Sequence, residues 1–492
     1  PAVRTALLPG QWLVFAYEPH LVRDIGVGDE LLAANRDRLD LLADDGRCAG
    51  RPFLIGPDGR ADARVNGFFS SPRMRSRSPL TWAKYAQSLS MWFNFLHVLG
   101  RSWDEATVDD AESFKEWRIT DSRNPSRVEP STFVANLAAL RSFYRWAAPR
   151  FGVVDPVAGE DDFDLAPRGA RRNRVKWLDP AGYRRWRDLG LGGMSIDGRP
   201  DPAFRGRNEQ RDCAFADGLY GSGLRLSEWA SVVLPELSGD DPGRGYSTCR
   251  LADACAKGGY GHVYWLPRHA LVDVLNYVEG ARARIVRAAQ RAGRYDVVDE
   301  KGFVLHSTDR DVVLRHSDGT QRKVSLNTLN PAQRRALYRM TKQGPEPLAL
   351  WLNEDGQPRL PHSWEHTFQG ANKRIAKLGL TNFTATPHML RHSCALRWFA
   401  IGRLAYEKRF AHLTGEETKD FRQQFGDTWD LVAAYLGHRN PETTKRIYLE
   451  PFRALDVEIL LQHVQDSAVQ TFLADYLADH PLVRTDPLRR NP

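Results

Sequence analysis

A chain of 492 residues is too long for one hydrophobic core, so two or three domains are expected. Its 42% hydrophobic and 26% charged content is that of a folded globular protein and excludes a disordered or fibrous one. The net charge of +8 suits a polyanionic partner without demanding one, and the excess of arginine over lysine supplies bidentate phosphate donors or reflects a GC-rich gene.

Cys48, Cys213, Cys249, Cys255 and Cys394 are scattered, with no zinc spacing, as expected for a protein of the reducing cytoplasm. No apolar run is long enough to cross a membrane. The chain starts at Pro1 without methionine, as a processed or partial chain would.

In chain order, residues 1–77 read as an N-terminal extension or arm of unclear fold. Asp29 to Leu42 has helical periodicity, and Gly56-Pro57-Asp58-Gly59 is a turn. Arg73, Arg75 and Arg77 form a basic stretch that reads as a linker, with an arm on phosphates as the alternative. Helices follow at Thr81–Leu99, Asp109–Arg118 and Ser131–Ala148 and predict a small all-α domain at 78–150, with Tyr85, Leu89, Trp92, Phe93, Leu137, Leu140, Phe143 and Tyr144 in its core.

Residues 151–176 read as a linker whose second half is basic through Arg168, Arg171, Arg172, Arg174 and Lys176. Such a strap can follow a DNA backbone; a solvated linker explains it equally well. Asp179-Pro180 opens a helix, as N-cap and first position. A helix from about Asn208 to Tyr220 ends at Gly221-Ser222-Gly223, and another begins near Leu226, which puts Arg225 in the turn between them. Cys249–Ala256 and His262–Leu266 predict a hairpin with Lys257 at its tip. A second hairpin is expected from Phe303–Leu305 and Val312–Val324, turning at Ser317-Asp318-Gly319, and Asn330-Pro331 caps a helix to Met340. Helices are then predicted at Ser363–Leu378, His388–Ile401, Thr428–Leu436, Asn440–Leu449 and Ala454–Leu477.

Breaking a phosphodiester with a side-chain hydroxyl has three chemical needs. The nucleophile loses a proton, the non-bridging oxygens need fixed donors, and the leaving 5′ oxygen needs a proton. Arginines clamp the oxygens, histidines move protons, a lysine serves as acid and a tyrosine forms the bond. Each candidate is weak alone. His388-x-x-Arg391 on a helix is ordinarily a surface pair, Lys257 a turn lysine, His438 a loop residue and Tyr448 a half-buried aromatic.

Together they are more specific. The stretches Gly223-Leu224-Arg225-Leu226-Ser227-Glu228, His388-Met389-Leu390-Arg391-His392, Leu436-Gly437-His438 and Thr443-Thr444-Lys445-Arg446-Ile447-Tyr448 follow one another in this order. With them the chain resembles the tyrosine recombinases, the phage-integrase family, over about residues 78–460.

The resemblance implies a mainly α protein with a small β-sheet. A helical core-binding (SAM-like) domain at 78–150 would join, through the linker 151–176, a mixed α/β catalytic domain at 177–460, the two forming a clamp around DNA. Residues 461–492 would be a C-terminal helix and tail contacting a neighbouring subunit. Arg225 and Arg391 would clamp the scissile phosphate, His388 and His438 would bond its oxygens and move protons, Lys257 would be the acid, and Tyr448 would form a 3′-phosphotyrosine. Glu228 and His392 would support them.

No metal, ATP or other cofactor is implied. The implied partners are double-stranded DNA with paired recombination sites, further copies in a homotetramer, and accessory DNA-bending proteins or a partner recombinase. The setting would be a mobile element, in the cytoplasm at the nucleoid. A type IB topoisomerase-like relaxer, a telomere resolvase and a non-catalytic DNA-binding regulator share this fold and remain open. Two stretches depart from the family: 296–345 and Arg403–Gln424 both look inserted.

Overall fold

The computed structural model describes residues 10–18, 50–158, 165, 167, 176–296, 302–315, 319–410, 414, 416–417, 428–437 and 483–484, with the backbone alone at 400–410, 431 and 483–484. The chain divides into two compact units, Pro1–Arg172 and Asn173–Pro492. The expected helices at Asp29–Leu42, Asn440–Leu449 and Ala454–Leu477 lie outside the described residues.

The first unit opens with β1 (Leu13–Ala16) paired antiparallel to β2 (Pro52–Ile55). The predicted turn follows, closed by a hydrogen bond from the Gly59 amide to the Gly56 carbonyl at 2.9 Å. Then come α1 (Ala63–Phe69), α2 (Pro72–Arg75), α3 (Pro79–Val98), α4 (Val108–Ile119) and α5 (Pro130–Phe151).

Each long helix has a local reason to start where it does. Ser78 caps α3 ahead of Pro79, and Thr107 and Asp110 form a capping box on α4. Gly152, in the left-handed region, stops α5. Aromatic faces of α3, α4 and α5 meet in one core, with Trp92, Phe93, Phe114, Phe143 and Tyr144 buried. Each such side chain contributes about 1.5–3 kcal/mol on burial. The Trp92 indole donates to the Tyr144 hydroxyl, which donates to the Trp103 carbonyl, so the polar tips of these two rings are satisfied.

That core also takes in Leu54, Val65, Phe68, Phe69 and Met74, so it runs across residue 77. The basic stretch at Arg73–Arg77 is therefore not the expected linker but begins within α2, with its arginines exposed. Ser71 caps α2, Met74 is buried, and the Trp82 indole donates to the Met74 carbonyl.

The second unit begins at β3 (Trp177–Leu178) and α6 (Pro180–Gly190), capped as expected by Asp179. Then follow α7 (Glu209–Ser222), the four-residue α8 (Leu226–Trp229), and the antiparallel pair β4 (Tyr246–Arg250) and β5 (Val263–Pro267). Next come α9 (Arg268–Tyr277), a π turn (Val278–Arg282) and α10 (Ala283–Arg291). Later helices are α12 (Ser363–Lys377), α13 (Pro387–Phe410) and α14 (Thr428–Tyr435). Strand β11 (Val483–Arg484) pairs in parallel with β3. The core gathers Trp186, Phe215, Trp229, Trp351 and Trp364, with Phe215 stacked on Trp364 at 3.5 Å.

Between α10 and α12 lies a five-stranded sheet. It holds β6 (Gly302–Ser307), β7 (Asp311–Arg315), β8 (Gln321–Ser325), α11 (Pro331–Arg335), β9 (Leu337–Thr341) and β10 (Gly344–Pro347), ordered β10-β9-β6-β7-β8. It occupies most of the segment expected as an insertion.

The stretch Val312–Val324, expected to turn at Ser317-Asp318-Gly319, pairs as β7 and β8 with Val312 opposite Val324. Three other local expectations change. The helix capped by Asn330 stops at Arg335 instead of reaching Met340, because Leu337 and Tyr338 are buried as strand residues beside β6. The strand before Lys257 ends at Arg250, so Lys257 sits in a folded loop rather than at a tight hairpin tip. Within that loop the Ala256 amide turns back on the Ala252 carbonyl at 3.0 Å. Helix α13 runs nine residues past the predicted end at Ile401, so the charged segment from Arg403 begins as helix.

Candidate active site

Gly223 is left-handed and ends α7, which turns the chain so that Arg225 becomes the N-cap of α8. The Arg225 amide donates to Glu228 Oε2 at 2.8 Å and its Nη1 to Oε1 at 2.8 Å. The same Oε1 accepts the backbone amide of Lys257 at 3.1 Å. Glu228 is wholly buried. Burial alone would raise its carboxyl pKa; the charge of Arg225 and the hydrogen bonds from Arg225 and Lys257 outweigh it and lower the pKa. A buried carboxylate thus joins the arginine turn to the lysine loop, and the Lys257 side chain is left exposed.

Helix α13 contributes His388, Arg391 and His392. The rings of His388 and His392, one turn apart, meet edge to face at 4.1 Å. His388 is exposed, and His392 and Arg391 are buried. Arg391 donates from Nη1 to the Gly223 carbonyl and from Nη2 to the Leu436 carbonyl at 3.0 Å. It therefore binds the end of α7 to the end of α14. Crowding by protein atoms, then the charges of Arg391, Arg225 and Lys257, lowers the pKa of His388. That shift marks the three cations and the histidine as sharing one field, with the imidazole held neutral near neutral pH.

Two contributors carried no readable sign in the sequence. Burial, together with the charges of Arg391 and Arg225, lowers the pKa of His262 against the opposing pull of Glu228 and a hydrogen bond with the Tyr260 backbone. Tyr435 donates to the Gly221 carbonyl at 2.8 Å and lies 3.2 Å from the Trp265 carbonyl, which fixes the end of α14 against α7 and β5. The position of His262 five residues after Lys257 was the available signal, but a lone histidine entering a strand has no pattern to set it apart.

The structure brings Arg225, Glu228, Lys257, His388, Arg391 and His392 to one region of the second unit. His438 and Tyr448 lie outside the described residues, as do Arg168, Arg171, Arg172 and Arg174. Lys176 is described and exposed, just ahead of β3.

Comparison with known proteins adds an independent line. Residues 71–150 match the family described as phage integrase, N-terminal SAM-like domain. A stretch of 208 residues, 40% of this chain, is 28% identical to tyrosine recombinase XerC of Pseudomonas savastanoi pv. phaseolicola and spans 61% of that relative's length. Among solved structures, XerH site-specific recombinase bound to palindromic difH substrate overlaps 91% of this chain and 94% of its own, at 11% identity and a TM-score of 0.46. A lambda integrase (75–356) dimer bound to a COC′ core site covers 78% of this chain and 94% of its own, at 10% identity and a TM-score of 0.43. At these scores the overlaps are partial. The first unit thus carries an integrase-type SAM-like domain. Over these matched stretches the chain resembles the tyrosine recombinases, the phage-integrase family.

Proposed function

We propose that this protein is a site-specific DNA recombinase or integrase that cuts and rejoins DNA through a 3′-phosphotyrosine at Tyr448. The supporting observation is Glu228, which holds Arg225 and the Lys257 loop together in the same field as Arg391 and His388.

In the reaction the Tyr448 oxygen bonds to phosphorus as the bond from phosphorus to the 5′ oxygen breaks. The phenol proton leaves to solvent by way of a histidine, and an ammonium proton of Lys257 goes to the 5′ oxygen. Arg225 and Arg391 offset charge on the non-bridging oxygens, the role in which preorganised donors act most strongly. His388 and His438 bond those oxygens. Because the phosphotyrosine conserves the bond energy, a 5′ hydroxyl from another strand reverses the step, and no metal or nucleotide is needed.

We further assign double-stranded DNA with paired sites as substrate, a homotetramer as the acting form, and a mobile element as the setting. Arg168, Arg171, Arg172, Arg174 and Lys176 would follow the backbone between the core-binding and catalytic domains.

The test uses a nicked suicide duplex recovered by binding from a random-sequence pool. Wild-type protein should form a denaturation-resistant adduct, and Tyr448→Phe should bind the duplex yet form none. An adduct with Tyr448→Phe removes the nucleophile assignment.

A further inference from the structure

The inserted sheet is tied to the loop that carries Lys257. Asn327 lies in a short 3-10 turn, Leu326–Thr328, directly after β8. Its side chain makes a reciprocal pair with Asp253: the Asn327 Nδ2 donates to Asp253 Oδ2, and Asn327 Oδ1 accepts the Asp253 amide at 2.9 Å. The Asn327 carbonyl accepts the Ala254 amide at 3.1 Å. The other oxygen of Asp253 accepts the Gly261 amide at 2.6 Å, across the neck of the loop. A Cβ on Gly261 would stand 2.1 Å from the Leu251 carbonyl, so the neck admits only glycine. The hydrogen bonds from Asn327 and then Gly261 lower the pKa of Asp253 and keep it a carboxylate.

The turn bearing Asn327 is itself anchored. Arg334 of α11 is buried and donates to the carbonyls of Leu326 at 2.6 Å and Leu329 at 3.0 Å. Its two Nη atoms reach both oxygens of Glu236 at 2.7 and 2.9 Å. Glu236 lies a few residues after α8, the helix that Arg225 caps. The path from Arg225 through Glu236, Arg334, Asn327 and Asp253 therefore returns to Lys257, whose amide closes the ring on Glu228.

We propose that Asn327 is a positioning residue for the proposed reaction: through Asp253 it fixes the Lys257 loop, so the inserted sheet sets where the acid stands. This rests on the reading of Lys257 as the proton donor to the leaving 5′ oxygen. Glu228 holds the loop from the side of Arg225, and Asn327 holds it from the opposite chain segment. A long loop held at one point only would sample positions from which the ammonium misses the oxygen. General acids contribute about 10²–10⁴-fold when placed within hydrogen-bond reach, which leaves room for a partial loss by misplacement.

The experiment measures single-turnover cleavage by full-length protein on the recovered duplex in two forms. One carries the ordinary scissile phosphate; the other has sulfur in place of the leaving 5′ oxygen. A thiolate leaves without a proton, so a defect in the acid disappears on the sulfur duplex and a defect in folding or phosphate binding persists. Lys257→Ala should lose about 100-fold or more on oxygen and recover on sulfur. Asn327→Ala should lose about tenfold on oxygen and recover to within about twofold of wild type on sulfur, with DNA binding unchanged. Equal loss on both duplexes, or no loss on oxygen, overturns the role of Asn327. If Lys257→Ala itself fails to recover on sulfur, or wild-type protein forms no adduct, the underlying reading falls and the inference with it.

Discussion

Gly437 lies with its backbone against the imidazole of His262. A Cβ built on Gly437 would stand 2.3 Å from two atoms of that ring, and the residue has φ of +66°. Gly437→Ala therefore carries both a clash and a left-handed strain, together about 1–3 kcal/mol. Because the next residue is His438, covalent trapping of DNA should fall well beyond what the stability loss explains. Removing the ring with His262→Ala in the same chain should recover part of the stability. A double mutant no more stable than Gly437→Ala alone would show that the ring is not the obstacle.

Glu228→Ala leaves the Arg225 guanidinium without its carboxylate and the Lys257 amide without an acceptor. Breaking a buried pair in this way costs about 3–5 kcal/mol. Urea unfolding should show that loss, and any cleavage left at a permissive temperature should be far below wild type. A loss under about 1 kcal/mol would mean the carboxylate is not the tie described.

Arg391→Lys keeps the charge but not the fork. A single ammonium cannot reach both the Gly223 and Leu436 carbonyls in the geometry that the planar group uses. Stability should drop by about 1–3 kcal/mol from the stranded carbonyl, and adduct formation should drop more steeply than DNA binding. Wild-type cleavage rates in this variant would contradict the phosphate-clamp role.

His262 and His388 both titrate below the ordinary histidine value of 6.5 in the folded protein. Between their folded values and 6.5 the unfolded chain binds more protons, so stability falls as the pH drops through that window. Urea unfolding at pH 7.5 and at pH near 5.5 should show this decline, and His262→Asn should flatten part of it. His269, also shifted down, keeps some slope. The carboxylate of Glu228 contributes its stability across this whole window and loses it only as the pH falls below its ordinary value of 4.5. An unchanged slope in His262→Asn would remove that residue from the account.

How far the sequence could be read depended on whether each signal was local. Arg225 was placed in its turn by Gly221-Ser222-Gly223, because glycine stops a helix from a few residues away. Asp179 and Thr107 announced their helices in the same way. The strand at Leu337–Thr341 was misread as helix because its state is set by pairing with β6, more than thirty residues earlier. The hold of Asn327 on Asp253 spans 74 positions and has no sequence period. His262 was missed for a similar reason: its significance comes from Gly437 and Arg391, on two other elements.

The fork of Arg391 has a consequence for biosynthesis. Its two carbonyl partners lie 168 positions before it and 45 after it. Tyr435 likewise reaches back 214 positions to Gly221. At a translation rate of about 5–20 residues per second, roughly 10–40 s separate the appearance of these two ends on the ribosome. Until the later end emerges, Arg391 cannot tie the two helix ends together, and the phosphate site stays open. The cutting proposed for this chain would therefore have to wait until the segment around Leu436 has left the ribosome.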